Sequence, residues 1–128
     1  MPKMNKLWRA APTREDLEGA RGYLSLLCPE AVATQLAAAL GRAVTTHATA
    51  KDLLRASLLP VLPRDESHVK ADLKRIHRGK ALAPVLLVRG DLAGGTPLVI
   101  ADGYHRICAV WYFDEDASVA CRLVSLKR

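Results

Sequence analysis

The chain has 128 residues, half of them hydrophobic and a quarter charged, which excludes a disordered or fibrous protein and fits one folded domain. Its net charge of +6 favours an anionic partner such as a nucleotide or nucleic acid. The three cysteines are widely spaced and form no Cys/His pattern, so we predict neither a disulfide framework nor a metal site. No segment has the apolar run of a signal peptide or the length to span a bilayer, so we expect a cytoplasmic protein without a membrane partner.

Residues 1–48 are predicted to form an N-terminal helical extension. A first helix is expected from Thr13 to the Cys28-Pro29 stop, because apolar residues recur along one face at helical spacing: Leu17, Ala20, Leu24 and Leu27. A second is expected over residues 29–40, with Gly41 just past its end. Its apolar stripe consists of Val32, Leu36 and Leu40. Residues 42–49 show no period, so we place a boundary there.

The middle of the chain alternates short helices with a proline-broken segment. Residues 51–56 are typical of a helical turn, and residues 58–64 of an edge strand or an extended loop, since two prolines interrupt them. Ser67 is the expected N-cap of a helix that Gly79 ends. Its buried stripe is Val69, Leu73 and Ile76.

The pattern of the last third of the chain predicts two strands, then one helix, then a final strand. Residues 84–89 and 97–101 are expected strands, joined by a turn-rich connector over residues 90–96. A helix over residues 104–113 and a final strand over residues 119–126 follow. The pattern predicts an α+β fold in which a compact core with a small mixed sheet and packed helices spans residues 49–128.

The turn between the second strand and this helix has the chemistry of an anion site. The motif is Asp102-Gly103-Tyr104-His105-Arg106, which puts a glycine, a histidine and an arginine at the N-terminus of a helix. Unpaired backbone N–H groups and the helix dipole attract phosphate at such an end. The alternative is that Asp102 is an N-cap, Gly103 a turn residue, and His105 and Arg106 a solvated first turn.

Residues 84–88, 98–106 and 121–124 together resemble the ParB/sulfiredoxin superfamily, over about residues 51–124. The resemblance implies a compact α+β core whose strand-turn-helix binds nucleotide phosphates through residues 102–106. The implied cofactor is a nucleoside di- or triphosphate with Mg²⁺. Residues 1–48 resemble no family.

The turn residues distinguish the subfamilies. Sulfiredoxins carry Gly-Cys-His-Arg, and Tyr104 here stands in place of the catalytic cysteine, which implies no sulfinic-acid reduction. Cys108, one turn further on, is expected to face the core. ParB proteins, which bind CTP, carry Gly-Glu-Arg-Arg, of which only Gly103 and Arg106 match. Since the sequence ends at Arg128, we expect none of their helix-turn-helix DNA reading.

The most similar turn is that of the ADP-dependent free-serine kinases, Asp-Gly-His-His-Arg. Asp102, Gly103, His105 and Arg106 match it, and Tyr104 replaces one histidine. Those kinases also place an acidic residue after a proline, which implies Glu66 as a general base. The alternative is that Glu66 only enriches the first turn of the helix that follows, as the helix dipole favours.

Two functions are therefore open. In a nucleotide-dependent phosphotransferase or hydrolase, His105 and Arg106 would stabilise developing charge and Glu66 would activate the acceptor. The alternative is a non-enzymatic nucleotide-sensing or DNA-associated module, with weak and non-specific nucleic-acid contact through the basic stretch of residues 69–80. That basic stretch is also typical of a solvated helix face. His47, His68 and His77 are interpreted as surface residues.

Overall fold

In the computed structural model, which describes residues 7–126, five helices pack on a four-stranded sheet. The helices are α1 (Arg14–Leu24), α2 (Glu30–Arg42), α3 (Ala50–Ser57), α4 (Ser67–His77) and α5 (Tyr104–Phe113). The strands are β1 (Thr46–Thr49), β2 (Val85–Val88), β3 (Val99–Asp102) and β4 (Ser118–Val124). The predicted α+β class with a small mixed sheet is confirmed. Within residues 7–126, no helix combines the length and the apolar character needed to cross a membrane.

The sheet has the order β1-β4-β2-β3, with a parallel β2–β4 pair and antiparallel pairs at both sides. Central strand β2 is buried along its whole length. Because successive strand residues point to opposite faces, Val85 and Leu87 enter one hydrophobic core while Leu86 and Val88 enter the other. The sheet therefore separates two helical layers.

The N-terminal helices cover one face of the sheet and the other three helices cover the opposite face. Ala20 and Leu24 of α1 share a core with Leu86 and Ala101. The second core contains residues from α3, α4 and α5 with the other faces of the strands. The N-terminal helical extension is thus packed directly on the sheet.

Both N-terminal helices end elsewhere than predicted. α1 ends at Leu24, and Leu27 is 56 % exposed rather than part of the apolar face. α2 continues through Gly41 to Arg42. Arg122 explains the extension, because its buried guanidinium donates hydrogen bonds to the carbonyls of Leu40 and Gly41 at 3.3 and 2.8 Å. These contacts satisfy carbonyls at a helix end that would otherwise lack partners.

The segment 42–49, predicted to be irregular, contains β1. This four-residue edge strand pairs with residues 118–121 of β4, so the expected domain boundary between residues 48 and 49 falls inside a strand. Four residues are too few to show alternation, and the pairing partner lies about 70 residues further along the chain. Of the two alternatives for residues 58–64, the structure has the loop, with Val61 and Leu62 packed on the core.

The N-cap of α4 is Glu66 and not Ser67. The Glu66 carboxylate accepts hydrogen bonds from the backbone N–H groups of His68, at 3.0 and 3.1 Å, and of Val69, at 3.1 Å. An ionised carboxylate accepts more strongly than a serine hydroxyl and also matches the positive end of the helix dipole.

Candidate functional site

A cleft of about 620 Å³ opens where β3 passes into α5. The turn Asp102-Gly103 and the first turn of α5 form one wall, α1 and the segment before it a second, and α4 a third. Its polar lining comes from all these elements: Arg9, Thr13, Glu15, Asp16, His68, Asp72, Arg75, Asp102, His105 and Arg106. The cleft therefore joins the predicted turn motif to side chains that are distant in sequence.

Gly103 is the N-cap of α5 and adopts a left-handed conformation with φ of +104°. A Cβ at this position would lie 2.6 Å from Val85 Cγ1 and 2.8 Å from an Arg106 nitrogen. Both the backbone angle and the contact with β2 require glycine. This replaces the alternative in which Asp102 is the N-cap.

The first turn of α5 presents backbone donors to the cleft. No side chain within residues 7–126 caps this helix, and Ile107 is the residue whose N–H donates to the Gly103 carbonyl. The N–H groups ahead of Ile107 have no acceptor within the helix. Together with the helix dipole they favour an anion at this point.

Arg106 is held by two carboxylates. Its guanidinium donates to Asp102 at 2.7 Å and to Asp16 of α1 at 3.2 Å, and only 14 % of its side chain is exposed. Its Nε is buried and has no hydrogen-bond partner in the described part of the chain. The predicted phosphate contact of Arg106 stays a prediction, whereas its contact with α1 is a feature of the fold.

Asp102 is an acid of the cleft whose pKa is raised well above its ordinary value. Burial raises its pKa to about 6 from an ordinary 3.8, and Arg106 opposes this rise while the neighbouring Asp16 reinforces it. Asp102, Asp16 and Arg106 form a compact cluster with one cation and two acids, which we call the Arg106 ion cluster.

Tyr104 turns its side chain away from the cleft. Its hydroxyl donates a hydrogen bond to the carbonyl of Pro60 in the loop before α4, and burial raises its pKa. Only its backbone is placed at the turn motif. The neighbouring Cys108 is fully buried, as predicted, and burial raises the pKa of its thiol.

Glu66 and His105, the two predicted catalytic residues, lie together at the edge of the cleft. Glu66 Oε2 is 3.8 Å from His105 Nε2, and Glu66 Oε1 is 2.8 Å from His68 Nδ1. Hydrogen bonds from the backbone N–H of His68, the His68 imidazole and the N–H of Val69 outweigh burial and together lower the pKa of Glu66 from 4.5 to about 2. Glu66 is therefore a weak base, because proton affinity falls with pKa.

Sequence reasoning did not assign seven polar residues of the cleft to the site: Arg9, Thr13, Glu15, Asp16, His68, Asp72 and Arg75. His68 was interpreted as a lone surface histidine, yet its ring centroid is 4.6 Å from that of His105. A local signal existed for this residue, since Glu66 at the N-cap and His68 two residues later share one helix turn. Asp16 and Arg9 carry no such signal, because their neighbours come from the other end of the chain.

Comparisons with protein-family models, with curated proteins and with solved structures each gave no match to this chain.

Proposed function

We propose that the cleft binds the phosphate groups of a nucleoside di- or triphosphate together with Mg²⁺. The observation that carries this proposal is the uncapped first turn of α5 opening into the cleft behind Gly103. A volume of about 620 Å³ lies within the range typical of small-molecule sites. The resemblance of residues 102–106 to the free-serine kinases supports the same ligand.

Three side chains complete the proposed phosphate site. His105 stands in the first turn of α5, and Arg9 and Arg75 line the cleft from two other walls. Arginine presents a planar fork that matches phosphate oxygens. Arg106 acts chiefly by holding Asp102 and α1 in place, since both ends of its guanidinium already contact carboxylates.

The cleft also offers oxygen ligands for the metal ion that accompanies a nucleotide. Mg²⁺ prefers phosphate oxygens, water and one or two carboxylates. Glu15 is exposed and lines the cleft, and Asp72, which is paired with Arg75 at 2.6 Å, lines it from another wall. These residues would share Mg²⁺ with the phosphates, and the ion would neutralise phosphate charge.

The state of Glu66 favours a nucleotide-binding module over a phosphotransferase or hydrolase. A general base works best with a pKa near the working pH, and the pKa of Glu66 is lowered to about 2 by its capping role. In the enzyme alternative, Glu66→Gln would lower turnover by about 10²- to 10⁴-fold. In the binding module the same change leaves nucleotide affinity unchanged, and no nucleotide is consumed.

Arg75→Ala is expected to weaken binding of an Mg²⁺–nucleoside triphosphate by about tenfold, the scale of a charge-assisted hydrogen bond. The matched control is Arg78→Ala, which removes the same charge from the C-cap of α4, outside the cleft. Calorimetric titration of both variants and of the unmodified chain with nucleoside di- and triphosphates measures the difference. Equal affinities for the two variants, or no binding of any nucleotide or of tripolyphosphate, would refute the proposal.

The exposed face of α4 is expected to bind duplex DNA weakly and without sequence preference. Lys70, Lys74 and Arg78 are exposed there, and each phosphate contact adds about 0.9 to the slope of log affinity against log salt. Replacing Lys70 and Lys74 by alanine, outside the cleft, should lower that slope by about 2. Fluorescence anisotropy with a defined and a scrambled duplex tests this, and tight retention of one duplex at physiological salt would contradict it.

A further inference from the structure

Three side chains with metal-binding atoms meet at the mouth of the cleft, and one of them, His105, also belongs to the proposed phosphate site. Glu66, His68 and His105 each offer one such atom, and these three atoms lie within 4.8 Å of one another. Glu66 and His68 come from the start of α4, and His105 comes from the first turn of α5. The packing of α4 on α5 therefore builds this group, which we call the His-Glu cluster.

From this juxtaposition, we propose that the His-Glu cluster binds a divalent transition-metal ion of the zinc class. The proposal goes beyond nucleotide binding and does not depend on it. Two imidazoles and one carboxylate suit Zn²⁺ and similar ions, whereas Mg²⁺ prefers oxygen ligands. The cluster is thus chemically distinct from the carboxylates that would share Mg²⁺ with a nucleotide.

The geometry needs little adjustment. Zinc bonds of about 2.0–2.1 Å in a tetrahedral arrangement place ligand atoms about 3.3 Å apart. In the structure, His68 Nδ1 is 2.8 Å from Glu66 Oε1, His105 Nε2 is 3.8 Å from the other carboxylate oxygen, Oε2, and the three ligand atoms all lie within 4.8 Å of one another. His68 is 70 % exposed, so solvent surrounds most of its side chain, and modest rotation of the three side chains would bring their ligand atoms to one ion.

The three ligands leave a coordination position facing solvent and the cleft. Zinc sites with three protein ligands and an open position are the arrangement used to activate water or to hold a substrate oxygen. The positive ends of α4 and α5 both lie here, and they oppose a cation while favouring an anion on the open position. We therefore expect weaker metal binding than at closed four-ligand structural sites.

The hydrogen bonds of Glu66 are compatible with this role. Its carboxylate already accepts from backbone N–H groups that fix its orientation, and such outer contacts commonly position a ligand for its metal. In the absence of metal binding, the same contacts would make Glu66 only a helix cap and His68 only its neighbour. Titration with a metal ion separates these two roles of Glu66.

The test is a titration of the full, untagged, chelator-treated chain with Co²⁺, followed by visible absorption and calorimetry, in buffer without phosphate or nucleotide. We expect one ion per chain, a tetrahedral or five-coordinate cobalt spectrum, displacement by Zn²⁺ and no competition by Mg²⁺. A Cys28→Ser background removes the half-buried thiol as an alternative ligand. Because nucleotide is absent, the result is independent of the phosphate-binding proposal.

Three variants assign the site. His68→Ala, His105→Ala and Glu66→Gln should each lower Co²⁺ affinity at least tenfold, while His77→Ala, at the far end of α4 and outside the cluster, should not. Both cluster histidines are at least partly exposed, and circular dichroism checks that each variant folds. Absence of stoichiometric Co²⁺ binding, or equal loss in the His77 variant, would overturn the proposal and leave Glu66 a helix cap.

Discussion

Replacing Gly103 by alanine is expected to destabilise the chain by about 2–5 kcal/mol. A left-handed backbone costs an L-residue about 1–2 kcal/mol, and forcing an extra methyl group into a packed core costs about 1–3 kcal/mol. Both terms apply, because φ is +104° and the new Cβ would lie 2.6 Å from a side-chain carbon of Val85 in the buried strand β2. Urea unfolding at neutral pH measures the loss.

Gly95→Ala is the matched control for this prediction. Gly95 also has a positive φ, of +76°, but nothing lies within 4 Å of the position that its Cβ would occupy. This variant should lose only the backbone term of about 1–2 kcal/mol. Equal losses for the two variants would show that the contact with Val85 relaxes freely, contrary to a turn that is fixed by β2.

The same substitution also tests the phosphate site. The new Cβ would lie 2.8 Å from an Arg106 nitrogen, so it must displace the guanidinium as well as the turn. Nucleotide affinity of any folded Gly103→Ala protein should therefore fall more than that of Arg75→Ala. Preserved affinity in a folded variant would place the ligand away from the first turn of α5.

The parts of the fold that the sequence predicted well are those with local signals. The helix predicted over residues 104–113 has those bounds, because a glycine starts it and a polar turn at Asp114 ends it. The connector over residues 90–96 is a turn closed by the Asp91–Thr96 bridge, as its glycines indicated. The stripe of Val69, Leu73 and Ile76 is buried, because helical periodicity reports directly on the face that enters the core.

Most of the features that the sequence did not predict depend on contacts between distant segments. Asp16 and Arg106 are 90 residues apart, so no spacing rule connects them. The N-cap of α4 is Glu66 where the sequence predicted Ser67, because the loop before α4 decides which of the two side chains faces the end of the helix. The His-Glu cluster needs α4 and α5 to be packed together, and periodicity alone indicates only which face of each helix is buried.

Arg106→Ala is expected to cost about 2–4 kcal/mol at neutral pH, because it leaves Asp16 and Asp102 without their shared cation. Removing one partner of a buried ion pair costs about 3–5 kcal/mol. The cost is smaller here because solvent reaches the side chains: 14 % of Arg106, 19 % of Asp16 and 26 % of Asp102 is exposed. The control is Arg55→Ala. The Arg55 side chain is 75 % exposed and that of its partner Asp52 is 61 % exposed, so this ion pair should contribute less than about 1 kcal/mol. Urea unfolding of both variants measures the two losses.

The cost of Arg106→Ala should also depend on pH, with a sign set by Asp102. The pKa of Asp102 is about 6 in the folded chain and has an ordinary value of 3.8, so folding takes up a proton between pH 3.8 and pH 6. The stability that this proton uptake contributes is fully present below about pH 4 and is lost as the pH rises through 6. Without Arg106 that pKa rises further, so the variant's deficit should be larger near pH 8 than near pH 5. Adding Asp102→Asn should remove this difference, because an amide cannot ionise, and the double-mutant cycle isolates the coupling. A deficit that is independent of pH in both backgrounds would mean that Asp102 is ionised throughout, and that the Arg106 ion cluster holds α1 on the turn by hydrogen bonding alone.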